Sequence, residues 1–162
     1  MSKKEIKNTI VDGLEDFDHS LPMSLLRARE AVMRKFTPLL RNHDLSPEQW
    51  RVIRALKLDG GLELAELSRR CFLLAPSLSR IAQNLEKREI VIRKPVKNDQ
   101  RRSVLELTQK GISVFNEVAP ESGEQYLSIK QAFGNEKLES LYDLLNEPVS
   151  YTHLTLPTIY SV

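Results

Sequence analysis

Apolar residues recur at helical spacing along most of the chain, and short polar turns separate the stripes. The first stripe begins near Leu21 and reaches Asn42, after a polar segment that we expect to be a flexible N-terminal arm over residues 1–20. Ser46-Pro47-Glu48-Gln49 then has the form of a capping box at the start of a second helix. The pattern predicts further helices over 64–70, 76–88, 108–133 and 135–147.

Two β-like runs interrupt the helical pattern, at residues 89–93 and 103–107. The polar, basic segment 94–102 lies between them, which predicts a hairpin with a long tip. Residues 62–64 read as a short extended link. The order helix, turn, helix, strand, wing, strand predicts a mainly α fold with a small β-wing. We expect a winged helix-turn-helix domain over 45–107 and a helical dimerisation region formed by 21–44 and 108–147.

Two prolines fall near the C-terminal helices. Proline removes a helical N–H and clashes with the preceding turn, so we expect Pro120 to kink or break the long fifth helix. For the same reason Pro148 should end the last helix. The residues after it carry no formal charge and are rich in Thr, Tyr and Leu, so we interpret 148–162 as a foreign tail.

Charge is unevenly distributed along the chain. Residues 75–102 carry 8 Lys or Arg and 3 Asp or Glu, whereas residues 103–147 carry 3 and 8. A basic segment favours phosphate, and polar side chains on a helix that enters the major groove can read base edges. Double-stranded DNA is therefore the expected partner. The candidate contacts are Pro76, Ser77, Ser79, Arg80, Gln83, Asn84 and Lys87 on the recognition helix, and Lys97, Arg101 and Arg102 on the wing.

Composition and motifs argue against several other classes. The chain has 162 residues, one cysteine and no apolar run near the ~18 residues of a membrane span, so we expect a cytoplasmic protein without membrane contact. It contains no P-loop, no G-x-S-x-G and no metal-spaced cluster, so we expect no enzyme, no cofactor and no metal. A helical interaction module that never touches DNA is the alternative, and the basic wing argues against it.

Several segments together carry a family resemblance. Residues 45–50 (LSPEQW), 64–67 (LAEL), 76–80 (PSLSR) and 98–111 (NDQRRSVLELTQKG) resemble the MarR family of bacterial transcriptional regulators over residues 20–147. The D-x-R motif of Asp99 and Arg101 is the most specific element. The resemblance implies that Arg101 enters the minor groove while Asp99 holds the wing through a salt bridge.

The resemblance also implies a homodimer built from the first and the last two helices. The sequence indicates this independently, because the stripes of 21–42 and 135–147 carry more large apolar residues than one small wing domain can cover. An intramolecular bundle is the alternative. Two-fold symmetry would place two recognition helices on successive major grooves of a pseudo-palindromic operator.

Within the family, residues 25–30 (LLRARE) and 70–77 (RCFLLAPS) resemble the branch that represses aromatic-acid catabolism, including homoprotocatechuate and hydroxycinnamate operons. The resemblance implies a repressor that releases its operator when a small aromatic acid binds, of hydroxycinnamate or hydroxyphenylacetate type.

Arg29 is the candidate for holding the effector's carboxylate. Leu25, Leu26, Val32 and Met33 flank it at helical spacing, and a guanidinium on an apolar stripe needs a partner. That partner is either a carboxylate from another helix or the carboxylate of a ligand, because Glu30 should point elsewhere. Further candidates for the pocket wall are Ser24, His19, Trp50 and Cys71. An alternative function is sensing of oxidation through Cys71, if Arg69 and Arg70 lower its pKa.

Overall fold

The computed structural model describes residues 17–96 and 99–151. A 3-10 turn over Phe17–His19 precedes helix α1 (Leu21–Asn42). The other helices are α2 (Pro47–Asp59), α3 (Leu64–Cys71), α4 (Ala75–Lys87), α5 (Gln109–Phe133) and α6 (Asn135–Tyr151), and the strands are β1 (Leu62–Glu63), β2 (Val91–Val96) and β3 (Asp99–Leu107). This order confirms the predicted mainly α fold with a small β-wing.

The described residues fall into two compact units, and the boundary lies inside α5, between Val118 and Ala119. The first unit contains α1 to α4, the sheet and the start of α5. The second unit contains the rest of α5 together with α6. The recognition helix and the wing therefore belong to the same unit.

The start of α2 confirms the predicted capping box. The Ser46 hydroxyl accepts a hydrogen bond from the Gln49 backbone N–H at 3.1 Å, and the Gln49 side-chain oxygen accepts one from the Ser46 N–H at 2.9 Å. The helix ends before Gly60, whose φ of 78° is a conformation that glycine adopts without steric cost. The local sequence thus defines both ends of α2.

The predicted apolar faces of α2, α3 and α4 form the core of the first unit, together with the sheet. Side chains that are almost completely buried include Val52, Ile53, Leu67, Leu78, Leu85, Ile90 and Leu105. Because α4 directs Leu78, Ala82 and Leu85 inward, its opposite face is left at the surface.

The sheet has the antiparallel order β1-β3-β2, with Leu62 opposite Leu105 and Val91 opposite Leu107. The segment expected to be an extended link is extended and forms β1. The predicted tip was too long, because both wing strands extend into it. Alternation of apolar residues marks a strand only where one face is buried, so the exposed outer part of the hairpin gave no signal.

Gly111 lies in the first turn of α5, three residues after Thr108. The Thr108 hydroxyl accepts a hydrogen bond from the Gly111 N–H at 3.0 Å, as expected for a cap, and the Thr108 N–H donates to the Ile90 carbonyl at 3.1 Å. A β-carbon at Gly111 would collide with that same carbonyl. Glycine therefore permits the close approach of α5 to the end of α4 and the start of the wing.

Neither proline ends a helix. The predicted break at Pro120 does not occur, because α5 continues to Phe133. The predicted end at Pro148 was also wrong, since α6 continues to Tyr151. The carbonyls that lose a hydrogen bond belong to Asn116 and Leu144, four residues earlier, and both residues are exposed. Water can therefore replace the missing N–H donor.

The two predicted terminal segments lie mostly outside the described residues, which leave out 1–16 and 152–162. At the end of the predicted arm, the Ser20 hydroxyl donates to the Phe17 carbonyl at 3.1 Å. Asp18 forms an ion pair with Arg27 of α1 at 3.1 Å. These contacts join residues 17–20 to the first helix.

Candidate nucleic-acid interface

The outward face of α4 is polar and exposed. Leu78, Ala82 and Leu85 anchor the other face in the core, which fixes the direction of the outward side chains. Arg80 lies opposite this anchor. Of the predicted contacts, Pro76, Ser77, Arg80, Gln83, Asn84 and Lys87 are exposed, and Ser79 is half-buried at the edge. The helix therefore offers hydrogen-bonding side chains and two cations on one surface.

The wing extends from the same unit as a two-stranded ribbon. Lys97 lies outside the described residues, as do the side chains of Asp99 and Arg101, although the backbone of the latter two belongs to β3. The predicted salt bridge of Asp99 stays a prediction. Arg102 forms an ion pair with Glu63 of β1, with the arginine side chain still 58% exposed. Glu63 thus neutralises part of the charge that was expected to contact DNA.

Ion pairs that were not predicted from the sequence hold the wing. Arg93 of β2 pairs with Glu86 of α4 at 3.3 Å, and Lys94 of β2 pairs with Glu106 of β3 at 2.6 Å. Exposed pairs of this kind contribute about 0.2–1 kcal/mol each. The Arg93 pair links the wing to the recognition helix, so it helps to set their relative position. For the second pair the available signal was the spacing in the predicted hairpin, since Glu106 lies two residues from Val104, the residue opposite Lys94, and so shares its face.

Arg29 does not have the surroundings that the sequence predicted. Its guanidinium forms an ion pair with Glu30 at 2.5 Å, and half of the arginine side chain is exposed. Leu25, Leu26 and Val32 on the same stripe are also substantially exposed. The expectation of a buried cation without a partner on its own helix was therefore wrong, because the described residues leave the apolar stripe of α1 largely uncovered.

Trp50 lies in the core of the first unit and has an unusual feature. Its ring stacks on Phe115, with ring centroids 5.5 Å apart and an angle of 26° between the planes. The indole Nε1 is buried and has no hydrogen-bond partner among the residues that the structure describes. A buried donor without an acceptor is costly, which makes this nitrogen a candidate contact for a bound molecule.

The other proposed wall residues differ in their surroundings. Ser24 is exposed, and the side chain of His19 lies outside the described residues. Arg54 lies one helical turn after Trp50 and is half-buried, so it shares a face of α2 with the indole. Arg54 was not among the predicted site residues, although its spacing of four residues from Trp50 was the available signal.

Cys71 is a core residue. Its thiol donates to the Arg51 carbonyl at 3.8 Å, and burial raises its pKa despite the opposing charges of Arg51 and Arg70. Arg69, which was expected to lower the pKa, instead forms an ion pair with Glu66. A buried thiol with a raised pKa reacts slowly with oxidants. The structure therefore argues against sensing of oxidation through Cys71.

A polar recognition helix beside a basic antiparallel ribbon defines a winged helix-turn-helix DNA-binding protein. The chain belongs to the MarR family, whose model matches residues 43–102. It is 40% identical to the HTH-type transcriptional regulator FarR of Neisseria gonorrhoeae over 79% of this chain and 88% of that protein. It is 37% identical to the homoprotocatechuate degradative operon repressor of Escherichia coli, over 79% of this chain and 86% of the repressor.

A solved structure supports the assignment. The chain is 38% identical in sequence to NadR, whose crystal structure was solved in complex with 4-hydroxyphenylacetate. The two structures have a TM-score of 0.72, and the match covers 83% of this chain and 95% of NadR. The protein is therefore a transcriptional regulator of the MarR family. In the described part of the chain, every helix is too short or too polar to span a bilayer.

Proposed function

We propose that the protein is a repressor that binds a pseudo-palindromic operator as a homodimer and releases it when an aromatic carboxylic acid binds. The exposed polar face of α4 carries the DNA-binding part of the proposal, because core packing aims that face outward beside the wing. The protein acts by binding in the cytoplasm and catalyses no reaction.

The wing provides the first test of DNA binding. Each cation that contacts a phosphate releases counterions. The slope of log K against log salt concentration therefore changes by about 0.9 per contact. Arg101→Ala should weaken binding to all duplexes and lower this slope by about one. Arg102→Ala is the matched control, and it should change the slope by less than half as much, because Glu63 already pairs with Arg102. Equal slopes for the wild type and Arg101→Ala would show that Arg101 does not contact DNA.

The homodimer is supported by apolar surface in each unit. In the first unit, α1 exposes Leu21, Leu25, Leu26 and Val32. In the second unit, α5 and α6 border an apolar cavity of about 520 Å³. That unit also exposes Tyr126, Leu127, Phe133, Tyr142, Leu144 and Leu145. Surfaces of this kind are typical of an interface. A second copy of the chain is the proposed partner.

Leu127→Glu tests the dimer. Leu127 is 59% exposed in the single chain, and dimerisation would bury a glutamate there without a partner. We expect the dimer dissociation constant to rise at least about a hundredfold, measured by light scattering after gel filtration. Leu58→Glu is the control, because Leu58 is 71% exposed on α2, and it should stay dimeric. A dimeric, folded Leu127→Glu would contradict the proposed interface.

The effector is proposed to bind at Trp50. Two of the similar proteins point to aromatic acids, since one is named for a homoprotocatechuate operon and another was solved with 4-hydroxyphenylacetate. The unpartnered Trp50 Nε1 can donate to an oxygen of such an acid, and Arg54 on the same face can hold its negative charge. Arg29 remains the competing carboxylate contact, which requires it to exchange Glu30 for the ligand.

A further inference from the structure

One side chain connects the start of α2 to the recognition helix. The Gln49 Oε1 accepts a hydrogen bond from the Ser46 backbone N–H at 2.9 Å. The Nε2 of the same amide donates to the Oδ1 of Asn84 at 2.8 Å. The residue that completes the capping box therefore also contacts a residue 35 positions later, on the helix that we propose reads DNA.

The backbone N–H of Ser46 determines the orientation of both amides. This group can only donate, so Gln49 must direct its oxygen toward Ser46. The Gln49 NH2 then points toward Asn84, which must accept this hydrogen bond with its own oxygen. Turning over either amide alone would place two donors or two acceptors opposite each other.

Asn84 is exposed and lies beside Arg80 and Lys87 on the outward face of α4. With its oxygen directed toward α2, the group that remains for DNA is its NH2, which only donates. In the major groove guanine offers O6 and N7, thymine offers O4 and adenine offers N7 as acceptors, whereas cytosine offers only a donor. The two hydrogen bonds that asparagine can make together to adenine N6 and N7 require the asparagine oxygen as well.

We infer that Gln49 is a positioning residue that makes Asn84 a hydrogen-bond donor, which excludes cytosine at the base that Asn84 reads in the operator. This inference rests on the proposed DNA-binding function. Gln49 itself contacts no base. It acts through the amide orientation that the capping box imposes.

Gln49→Glu tests the inference, because glutamate keeps the cap and reverses the polarity. A carboxylate at this position accepts from Ser46 as before, since Glu is a usual residue there. It cannot donate, so Asn84 should turn its NH2 toward α2 and its oxygen toward DNA. In selection from a random duplex library, one position per half-site should disfavour cytosine in the wild type and change from guanine or thymine toward cytosine in Gln49→Glu. We expect a preference of roughly fivefold in each direction.

Two controls separate this effect from folding and charge. The midpoint of thermal unfolding should stay within a few degrees of the wild type, because the capping box is retained. The added negative charge should weaken binding to all duplexes alike. In an Asn84→Ala background the preference at this position should be absent, and Gln49→Glu should leave the selected sequences unchanged.

Three outcomes would overturn the inference. An unchanged base preference in folded Gln49→Glu would show that Gln49 does not set the polarity of Asn84. A preference that survives Asn84→Ala would show that Asn84 reads no base, while the proposed repressor function would stand. Absence of any sequence preference in the wild type would overturn the inference and the proposed function together.

Discussion

Arg80→Ala should weaken binding to the selected operator by about 1–3 kcal/mol and relax the preference at one base position. Arg80 lies opposite the buried anchor of α4, and it has no ion pair among the residues that the structure describes. Arg93 and Arg102, in contrast, are each held by a glutamate. The Arg80 guanidinium is therefore available for the two acceptors of a guanine, which is the commonest specific contact of arginine.

The measurement is fluorescence anisotropy with the selected duplex and with a scrambled duplex. The loss for Arg80→Ala should be confined to the selected duplex. Lys87→Ala is the matched control on the same face, and it should weaken binding to both duplexes by a similar factor, as expected for a phosphate contact. If Arg80→Ala also weakens both equally, Arg80 contacts phosphate and does not read a base.

The second large effect is loss of the response to the effector. We expect 4-hydroxyphenylacetate or a hydroxycinnamate to release the operator from the wild type, and the operator to weaken effector binding by the same factor. Trp50→Phe keeps the stacking on Phe115 and removes the N–H donor. Arg54→Gln keeps a polar side chain and removes the charge. Each should raise the effector concentration needed for release roughly tenfold or more, because hydrogen bonds to a charged group contribute about 1.5–3 kcal/mol.

Methyl esters of the effector acids and the variant Arg29→Ala show which residue, if any, binds the effector's carboxylate. Esters of the same acids should act poorly, since they lack the charge that an arginine would hold. If Arg29→Ala loses the response to the effector and Arg54→Gln keeps it, the effector's carboxylate binds on α1 and not on α2. Glu30→Gln serves as the control for the ion pair of Arg29. Release by esters as effective as release by acids would contradict a carboxylate contact at either arginine.

The fold was largely predictable because its signals are local. The capping box at Ser46 and the apolar face of α4 each depend on residues within a few turns of one another. The prolines misled for a physical reason, since Pro120 and Pro148 follow exposed turns whose carbonyls water can reach. A rule about proline alone does not include the environment of the preceding turn.

The candidate site was less predictable because its contacts join distant parts of the chain. Arg29 was expected to be buried, but an apolar stripe does not show whether one chain or two cover it. The Gln49–Asn84 hydrogen bond joins residues 35 positions apart, and the missing partner of Trp50 Nε1 is visible only once the core is built. Spacing along one helix contains none of this information.

Selection of bound duplexes from a random library requires both the recognition helix and the two-fold assembly. A dimeric repressor should enrich a site with two half-sites related by a dyad, their centres about 10–10.5 base pairs apart. Adding 4-hydroxyphenylacetate should reduce recovery of that site. Recovery of no sequence above a scrambled control, or of a single half-site without a dyad, would contradict a dimeric operator-binding repressor.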